Sequence, residues 1–389
     1  MKDTFLGYRR ENGTVGVRNS VAVIASVYCV GSLAERISRA VPGTVYFRHP
    51  LGCGQYGADL ELSTRVLRDI GRNPNFAGVL VVGLGCEKID PHAMAHAVSE
   101  SKKRVELIVV QEVGDSVSTV EKGIAIARDM VAETEKMTRS EAYAGELMIG
   151  MKCGGSDNTS GLIANPALGM ASDRIIAQGG SSIFTELSEL FGTEHILARR
   201  AADERVAEDI KNVIAKWREK VRRQVETATT AGSVHLISPG NYEGGMSSII
   251  EKSLGGMKKS GTAPLAEVFG YGGRPSRKGL LLMDGSGNDA EACTGEIAAG
   301  AQIICFTTGR GTPAGFPGVP IIKITGNPRL YEMMKEDIDF NAGEVVTGIR
   351  TLEEVSEEIY REILAVASGK LTKSEQHGYN DLFSVMREY

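Results

Sequence analysis

Gly78-Val79-Leu80-Val81-Val82, running straight into Gly83-Leu84-Gly85-Cys86-Glu87, decides the fold. Four large aliphatic residues in a row fit a strand buried on both faces, as the strands of parallel sheets are. The glycines behind them supply a sharp turn and leave backbone open to close approach. The pattern repeats. Residues 20–26, 44–47 and 105–110 read as further strands, and 31–40, 58–70, 91–101 and 115–137 carry helical spacing between or after them. Pro91 behind Asp90 is a helix start with its N-cap. Such a βαβ series predicts a parallel sheet with helices on both faces.

A polar stretch at 135–145 interrupts the series and sets the expected boundary between residues 1–140 and 141–389. Residues 147–151 then open a second α/β region, with a helix begun by Pro166, a strand at 181–185 and a long charged helix at 201–227. Apolar runs at 234–237, 279–283, 301–307 and 319–324 each end in a loop containing Gly or Asn. A helix at 351–368 precedes a tail, 369–389, expected to lie on the surface. The predicted fold class is α/β, with two Rossmann-like domains, largely parallel sheets and Gly-rich strand-to-helix loops.

Composition narrows the function. A chain of 389 residues with 42% hydrophobic and 24% charged residues is a globular one, and a net charge of −5 argues against a nucleic-acid-binding surface. The longest apolar stretches, 78–84 and 301–306, fall far short of a membrane span. Met1 is followed by Lys2 and Asp3 with no apolar signal segment, so a cytoplasmic location is expected. Six cysteines in a chain this long are no disulfide framework. They read as thiols, with Cys29 and Cys305, in apolar runs, expected in the core. The 47 glycines, against 12 prolines, gather in loops behind strands, where ligands approach.

Three of the cysteines lie in glycine-bracketed turns at predicted strand ends: His49-Pro50-Leu51-Gly52-Cys53-Gly54, Gly85-Cys86-Glu87, and Lys152-Cys153-Gly154-Gly155-Ser156-Asp157. Strand carboxyl ends are where α/β folds place their chemistry. His49, Cys53, Cys86 and Cys153, with a carboxylate from Asp157 or Glu87, form a candidate metal set whose thiolates and imidazole suit iron or zinc better than magnesium. The plainer alternative is small residues filling tight turns. His92 and His96 share a helix face but lack the glutamate of a zinc motif, so they read as a surface pair, while His195, His235 and His377 have no patterned company. Lys88 stands where a dinucleotide fingerprint needs its last glycine, and there is no P-loop.

Anion binding is better supported. Ser156, Asn158, Thr159 and Ser160 crowd the loop 153–161, Asn241 sits in a second polar glycine loop at 238–248, and Thr308 and Arg310 sit in a third at 306–312. Hydroxyls, successive amides and a planar guanidinium fit a small, oxygen-rich, anionic substrate. Lys252 follows as a base or a carboxylate partner, and Asp337, Asp339 and Asn341 form an acidic cluster, either a cation site or a solvated turn.

Together these segments resemble the altronate/galactarate dehydratase family. The resemblance is carried by 5–8 and 15–19, by His49-x-x-Gly52-Cys53-Gly54, 82–87, Gly154-Gly155-Ser156-Asp157, 164–169 and Pro239-Gly240-Asn241. It continues through Gly244-Gly245, 251–255, 306–312, Asp337-x-Asp339, Asn341-Ala342-Gly343 and 367–369, and covers nearly the whole chain. It implies elimination of water from a sugar acid to give a 2-keto-3-deoxy acid. Met246-Ser247-Ser248 replaces the Leu-Thr-Thr usual in such enzymes, which leaves the substrate open. Sulfolactate sulfo-lyase, a relative that expels sulfite, is the alternative, and a non-catalytic sugar-acid-binding subunit is the second. The family pattern starts at Phe5, so the small N-terminal domain of full-length members is expected on a separately encoded subunit, in a homo- or hetero-oligomer. The resemblance further implies an Fe²⁺ requirement, with a [4Fe–4S] cluster or Mn²⁺ as alternatives, and assigns the metal to His49, Cys53, Cys86 and Cys153. Lys252 and Asp157 are the implied catalytic residues, with a residue of the other subunit as an alternative base. Ser156, Asn158, Ser160, Asn241, Thr308 and Arg310 are the implied substrate-binding residues.

Overall fold

The structure, a computed structural model, describes residues 2–226 and 237–387. The chain opens with β1 (Thr4–Arg9) and β2 (Val15–Gly16), an antiparallel pair. Next come β3 (Ser20–Ala25), β4 (Thr44–Phe47), β5 (Phe76–Gly83) and β6 (Arg104–Val109), all parallel in the order β4-β3-β5-β6. Side chains of a strand alternate between faces. Val21, Val23, Leu80 and Val82 therefore meet Ala34, Ile37, Ala127 and Met130 on one side. Ala22, Ile24, Val79 and Val81 belong to the core on the other, with Leu62, Val66, Met94 and Val98. Helices cover both faces, as the aliphatic runs require.

β7 (Ser140–Tyr143) then returns to pair antiparallel with β1, Phe5 opposite Ala142. The polar stretch expected as a boundary thus contains a strand. Four residues with one side chain buried carry too little periodicity to be read from sequence.

The second region holds β8 (Met148–Cys153), β9 (Ser181–Phe184), β10 (Leu265–Gly270), β11 (Leu280–Asp284), β12 (Ile303–Thr307), β13 (Ile321–Thr325) and β14 (Phe340–Asn341). They form one parallel sheet in the order β10-β11-β9-β8-β12-β13-β14. β8 lies at its centre, so Lys152 and Cys153 end the middle strand. The α/β class and its parallel sheets match expectation; the antiparallel β2-β1-β7 sheet is an addition to it.

Two expectations are corrected. Cys29 is exposed, because its strand ends at Ala25 and a 3-10 turn at Tyr28–Val30 points Val27 and Val30 inward instead. The tail is no surface wrapping: Phe383 packs on Phe47 and Phe316, and Val385 and Met386 are buried. The apolar run 234–237 lies outside the described residues except for Ile237, as does His235. Cys305 is buried as expected. Among the described residues no helix is long and apolar enough to cross a membrane.

Candidate active site

At the carboxyl edge of the four-stranded sheet, the loops behind β3, β4 and β5 are stitched together. The Tyr28 amide donates to the Leu51 carbonyl at 2.8 Å, and the Lys88 amide to the Gly52 carbonyl at 3.1 Å. Gly52 has φ +91°, and a Cβ there would stand 2.3 Å from the Ser26 carbonyl oxygen, so only glycine allows this approach. Glu87 braces the third loop, accepting from Ser26 Oγ at 2.6 Å and from the Leu84 and Gly85 amides at 2.9 and 2.6 Å. Burial pushes its carboxyl up, but these hydrogen bonds outweigh burial and hold it below the usual range. Cys29, Cys53 and Cys86 all lie exposed on these loops. His49 is buried; desolvation lowers its imidazole to about 4 against the opposing pull of Gln55 and Asp59, so it is neutral at pH 7.

The edge of the seven-stranded sheet is built from charge. Lys152, fully buried, pairs with Glu186 and, at 3.0 Å, with Asp289. Lys259 takes the other Glu186 oxygen, which also accepts from the Cys153 amide at 3.1 Å. Burial alone would neutralise all three groups. Their mutual attraction wins, holding Glu186 below and both lysines above their ordinary values. Glu186 sits in the left-handed region, φ 70°, so the turn behind β9 is strained to aim this carboxylate inward.

Lys252 reaches Glu189 at 3.2 Å and the Asn241 side-chain carbonyl at 3.3 Å. Burial, reinforced by Glu186 and opposed by Lys252, raises the Glu189 carboxyl. Asn241 also accepts from the Ser156 amide at 2.7 Å. Ser156 Oγ lies 3.2 Å from Cys153 Sγ. Lys252 stands between two cavities. One, about 300 Å³, is lined by Lys152, Cys153, Glu189, Asn241 and Asp289 among others. The other, about 500 Å³, is lined by Ser156, Asn158, Asn165 and Glu251 among others.

The sequence-expected residues therefore divide. Lys252, Cys153, Ser156, Asn158 and Asn241 converge on these cavities. Asp157 does not line them: its carboxylate accepts from Thr159 Oγ1, the Ser160 amide and Ser160 Oγ, and from Asn327 at 2.9 Å, which makes it a brace for the loop. Ser160 is spent on that brace. Thr308 accepts from the amides of Arg310 and Gly311, and the Arg310 guanidinium pairs with Glu243 at 2.7 Å. The metal set is not gathered. His49, Cys53 and Cys86 follow strands of one sheet while Cys153 ends the central strand of the other. Among the described residues no three His, Cys, Asp or Glu side chains stand close enough to hold an ion.

His92 binds Glu112 at 2.7 Å, as a surface histidine does. Asp339 accepts from the Lys323 and Lys373 amides and ties β13 to the C-terminal region. Lys152, Lys259, Glu186 and Glu189 escape sequence reading because each looks like an ordinary surface charge. The one available signal was Lys152 at the end of an otherwise apolar strand.

The fold and this cleft define a class: an α/β protein whose reactive groups gather on loops at strand ends. Residues 7–135 match the second domain of D-galactarate dehydratase/altronate hydrolase, and 144–389 match the C-terminal domain of D-galactarate/altronate dehydratase. The altronate dehydratase of Bacillus subtilis is 40% identical over 97% of this chain and 77% of its own length. That of Escherichia coli is 35% identical over 96% and 76%. The (2R)-sulfolactate sulfo-lyase subunit beta of Chromohalobacter salexigens is 35% identical over 99% of this chain and 98% of its own length. The chain belongs to the D-galactarate/altronate dehydratase family.

Proposed function

We propose that this carbon–oxygen lyase eliminates water from altronate or a closely similar sugar acid, giving a 2-keto-3-deoxy acid. The observation that carries this reading is the Lys252–Glu189 pair, 3.2 Å apart, on the wall of a cavity that also presents Lys152 and Asn241. Removing a proton beside a carboxylate builds negative charge on its oxygens, which needs fixed positive charge and donors. Lys252 supplies the charge. Asn241, anchored by the Ser156 amide, orients it. Glu189, whose carboxyl burial raises above its ordinary range, is the stronger base for it and stands in reach to accept the proton. The residues expected to hold iron, His49, Cys53, Cys86 and Cys153, are not gathered into one site among the described residues, so no step of this reading passes through a metal. Free cysteines on the surface fit a cytoplasmic, reducing setting.

A sulfolactate sulfo-lyase is the second reading, favoured by the near-complete overlap with that relative's β subunit. The same overlap supports a separate small subunit as partner. Assay of the chain, alone and with such a subunit, on altronate, galactarate and sulfolactate under anaerobic conditions with Fe²⁺ decides between them. A keto-deoxy acid from altronate is expected. Sulfite and pyruvate from sulfolactate, with no keto-deoxy acid from altronate or galactarate, selects the sulfo-lyase, and tight binding without turnover selects a binding subunit. Glu189→Gln and Lys252→Ala are each expected to lower kcat by about 10²–10⁴-fold. Because Glu189 works as the carboxylate, kcat/KM should rise with pH through a value above the ordinary carboxylate range. Glu189→Asp should move that limb; an unmoved limb rules Glu189 out as the base.

A further inference from the structure

Lys152 lies at the end of the central strand β8, where a buried strand ordinarily carries an apolar side chain. Its ammonium meets four acceptors. The Cys153 and Gly287 carbonyls lie at 2.8 and 3.1 Å, Glu186 pairs with it, and Asp289 Oδ1 lies at 3.0 Å. An ammonium has only three hydrogens. The two carbonyls and Glu186 hydrogen-bond all three, so Asp289 is held by charge alone.

That charge is needed. Glu186 is shared by Lys152 and Lys259, so one carboxylate faces two buried ammonium groups. Lys252 does not alter the imbalance, because Glu189 answers it. A buried charge left without a partner is strongly destabilising, and Asp289 supplies the missing negative charge. It does so from a different setting: its side chain is 43% exposed, against 2% or less for Lys152, Lys259 and Glu186. Asp289 is therefore the member of this cluster that a solute can reach and replace. Lys152 and Asp289 both line the cavity of about 300 Å³ that also presents Lys252 and Asn241.

We infer that Lys152 is the docking point for the carboxylate of the substrate acid, and that Asp289 is a built-in stand-in which the ligand carboxylate displaces. The exchange conserves charge. One carboxylate moves from the ammonium into water, where it is already partly exposed, and another arrives in its place. The exchange also sets the ligand class. A carboxylate with a neutral hydroxyl beside it fits, whereas an uncharged polyol leaves Lys152 paired with Asp289. One oxygen of the arriving carboxylate pairs with Lys152, and the second is left for Lys252 in the same cavity, the cation that the proposed elimination needs at those oxygens. The inference rests on the dehydratase reading for the identity of the acid, but its test reads anion affinity rather than turnover, so the two fail separately.

Glycolate is the probe, because it is the carboxylate-and-hydroxyl end that altronate, galactarate and sulfolactate share; ethylene glycol is its uncharged counterpart. Titration calorimetry of the full chain should show binding of glycolate and none of ethylene glycol. Asp289→Asn removes the competing charge at nearly constant size. It should tighten glycolate by about tenfold, the worth of one ion pair at ~3 Å in a water-like dielectric. Glu121→Gln, at an exposed acid of the first region, changes the net charge equally and should leave the affinity unchanged. Lys152→Met leaves Lys259 and Glu186 as a neutral pair and should abolish binding; where that variant does not fold, Asp289→Asn alone decides. In a second measurement, saturating glycolate should raise the thermal unfolding midpoint of Asp289→Asn by more than that of the parent. Four results overturn the inference: glycolate affinity unchanged or weakened in Asp289→Asn, equal tightening in Glu121→Gln, ethylene glycol bound as well as glycolate, or glycolate affinity retained in folded Lys152→Met.

Discussion

Glu296 lies on the helix Asp289–Ala299 with its carboxyl buried against β8, where a Cβ on Gly150 would stand 2.5 Å from Oε2. Neither carboxyl oxygen meets a hydrogen-bond partner at normal geometry. Burial first, then the nearby negative charge of Glu186, push it up to about 8. At pH 7 the native state therefore holds a proton there that the unfolded chain has released. Between the unfolded pKa of 4.5 and about 8 the native state binds more protons, so stability falls as pH rises through that window. The slope from this one group is about 1.4 kcal/mol per pH unit. Glu296→Gln, neutral throughout, should remove that slope. Denaturant unfolding of both proteins at pH 6 and pH 8 checks it, and parallel losses would refute the assignment. Nothing in the sequence marks this glutamate, since a helical Glu reads as solvated until the sheet beneath it is known.

At the scale of elements, backbone contact positions the charged cleft. The helix Asn165–Ala177 touches the 3-10 turn Met257–Ser260 so closely that a Cβ on Gly169 would lie 2.3 Å from the Lys258 carbonyl oxygen. That turn carries Lys259 to Glu186. Gly169→Ala should therefore force the two elements apart, costing about 1–3 kcal/mol and lowering activity through the displaced lysine. Gly270→Ala, with nothing within 4 Å, is the control and should be near neutral. Equal effects from the two variants would mean that the close approach does not matter. The long elements were legible because aliphatic runs and capped helices announce themselves: β5 is buried over its full length, and Asp90 caps its helix through the His92 and Ala93 amides. The site was legible in its polar glycine loops, which pointed to Cys153, Ser156, Asn158, Asn241 and Lys252, but not in its buried charges. Lys152 and Lys259 meet Glu186 across 34 and 73 residues, a pairing that exists only after β8 and β9 have aligned. Cys29 misleads for a related reason. Its apolar neighbours describe a core strand, but β3 ends at Ala25 and the turn that follows leaves Cys29 exposed.

Across the whole molecule the two sheets share one continuous core, from Phe5 through Phe47 and Phe76 to Phe316 and Met386. Buried polar groups lock them together. Arg18 forks to Glu375 at 2.6 and 2.8 Å and donates to the carbonyls of Val366 and Lys370. Asn73, fully buried beside β5, donates to the carbonyls of Ile297 and Ala301 at 2.9 Å each and accepts from the Asn75 amide. A sequence boundary near residue 140 leads one to expect two separable units, but a seam this dry and this polar couples them, because breaking it strands donors and acceptors away from water. The chain should accordingly unfold as one cooperative unit. Trp217, the only tryptophan, donates to Asp284 at 2.5 Å and reports on the second region by fluorescence. Hydrogen exchange in β5 reports on the first. In the parent the two probes should give the same unfolding free energy. Asn73→Ala removes a donor from the Ile297 carbonyl, which keeps the Gly300 amide, and from the buried Ala301 carbonyl, and takes the acceptor from the Asn75 amide; it should cost about 1–3 kcal/mol, with protection in β5 lost before Trp217 responds. If the two probes already disagree in the parent, or if Asn73→Ala lowers neither, the seam does not couple the sheets.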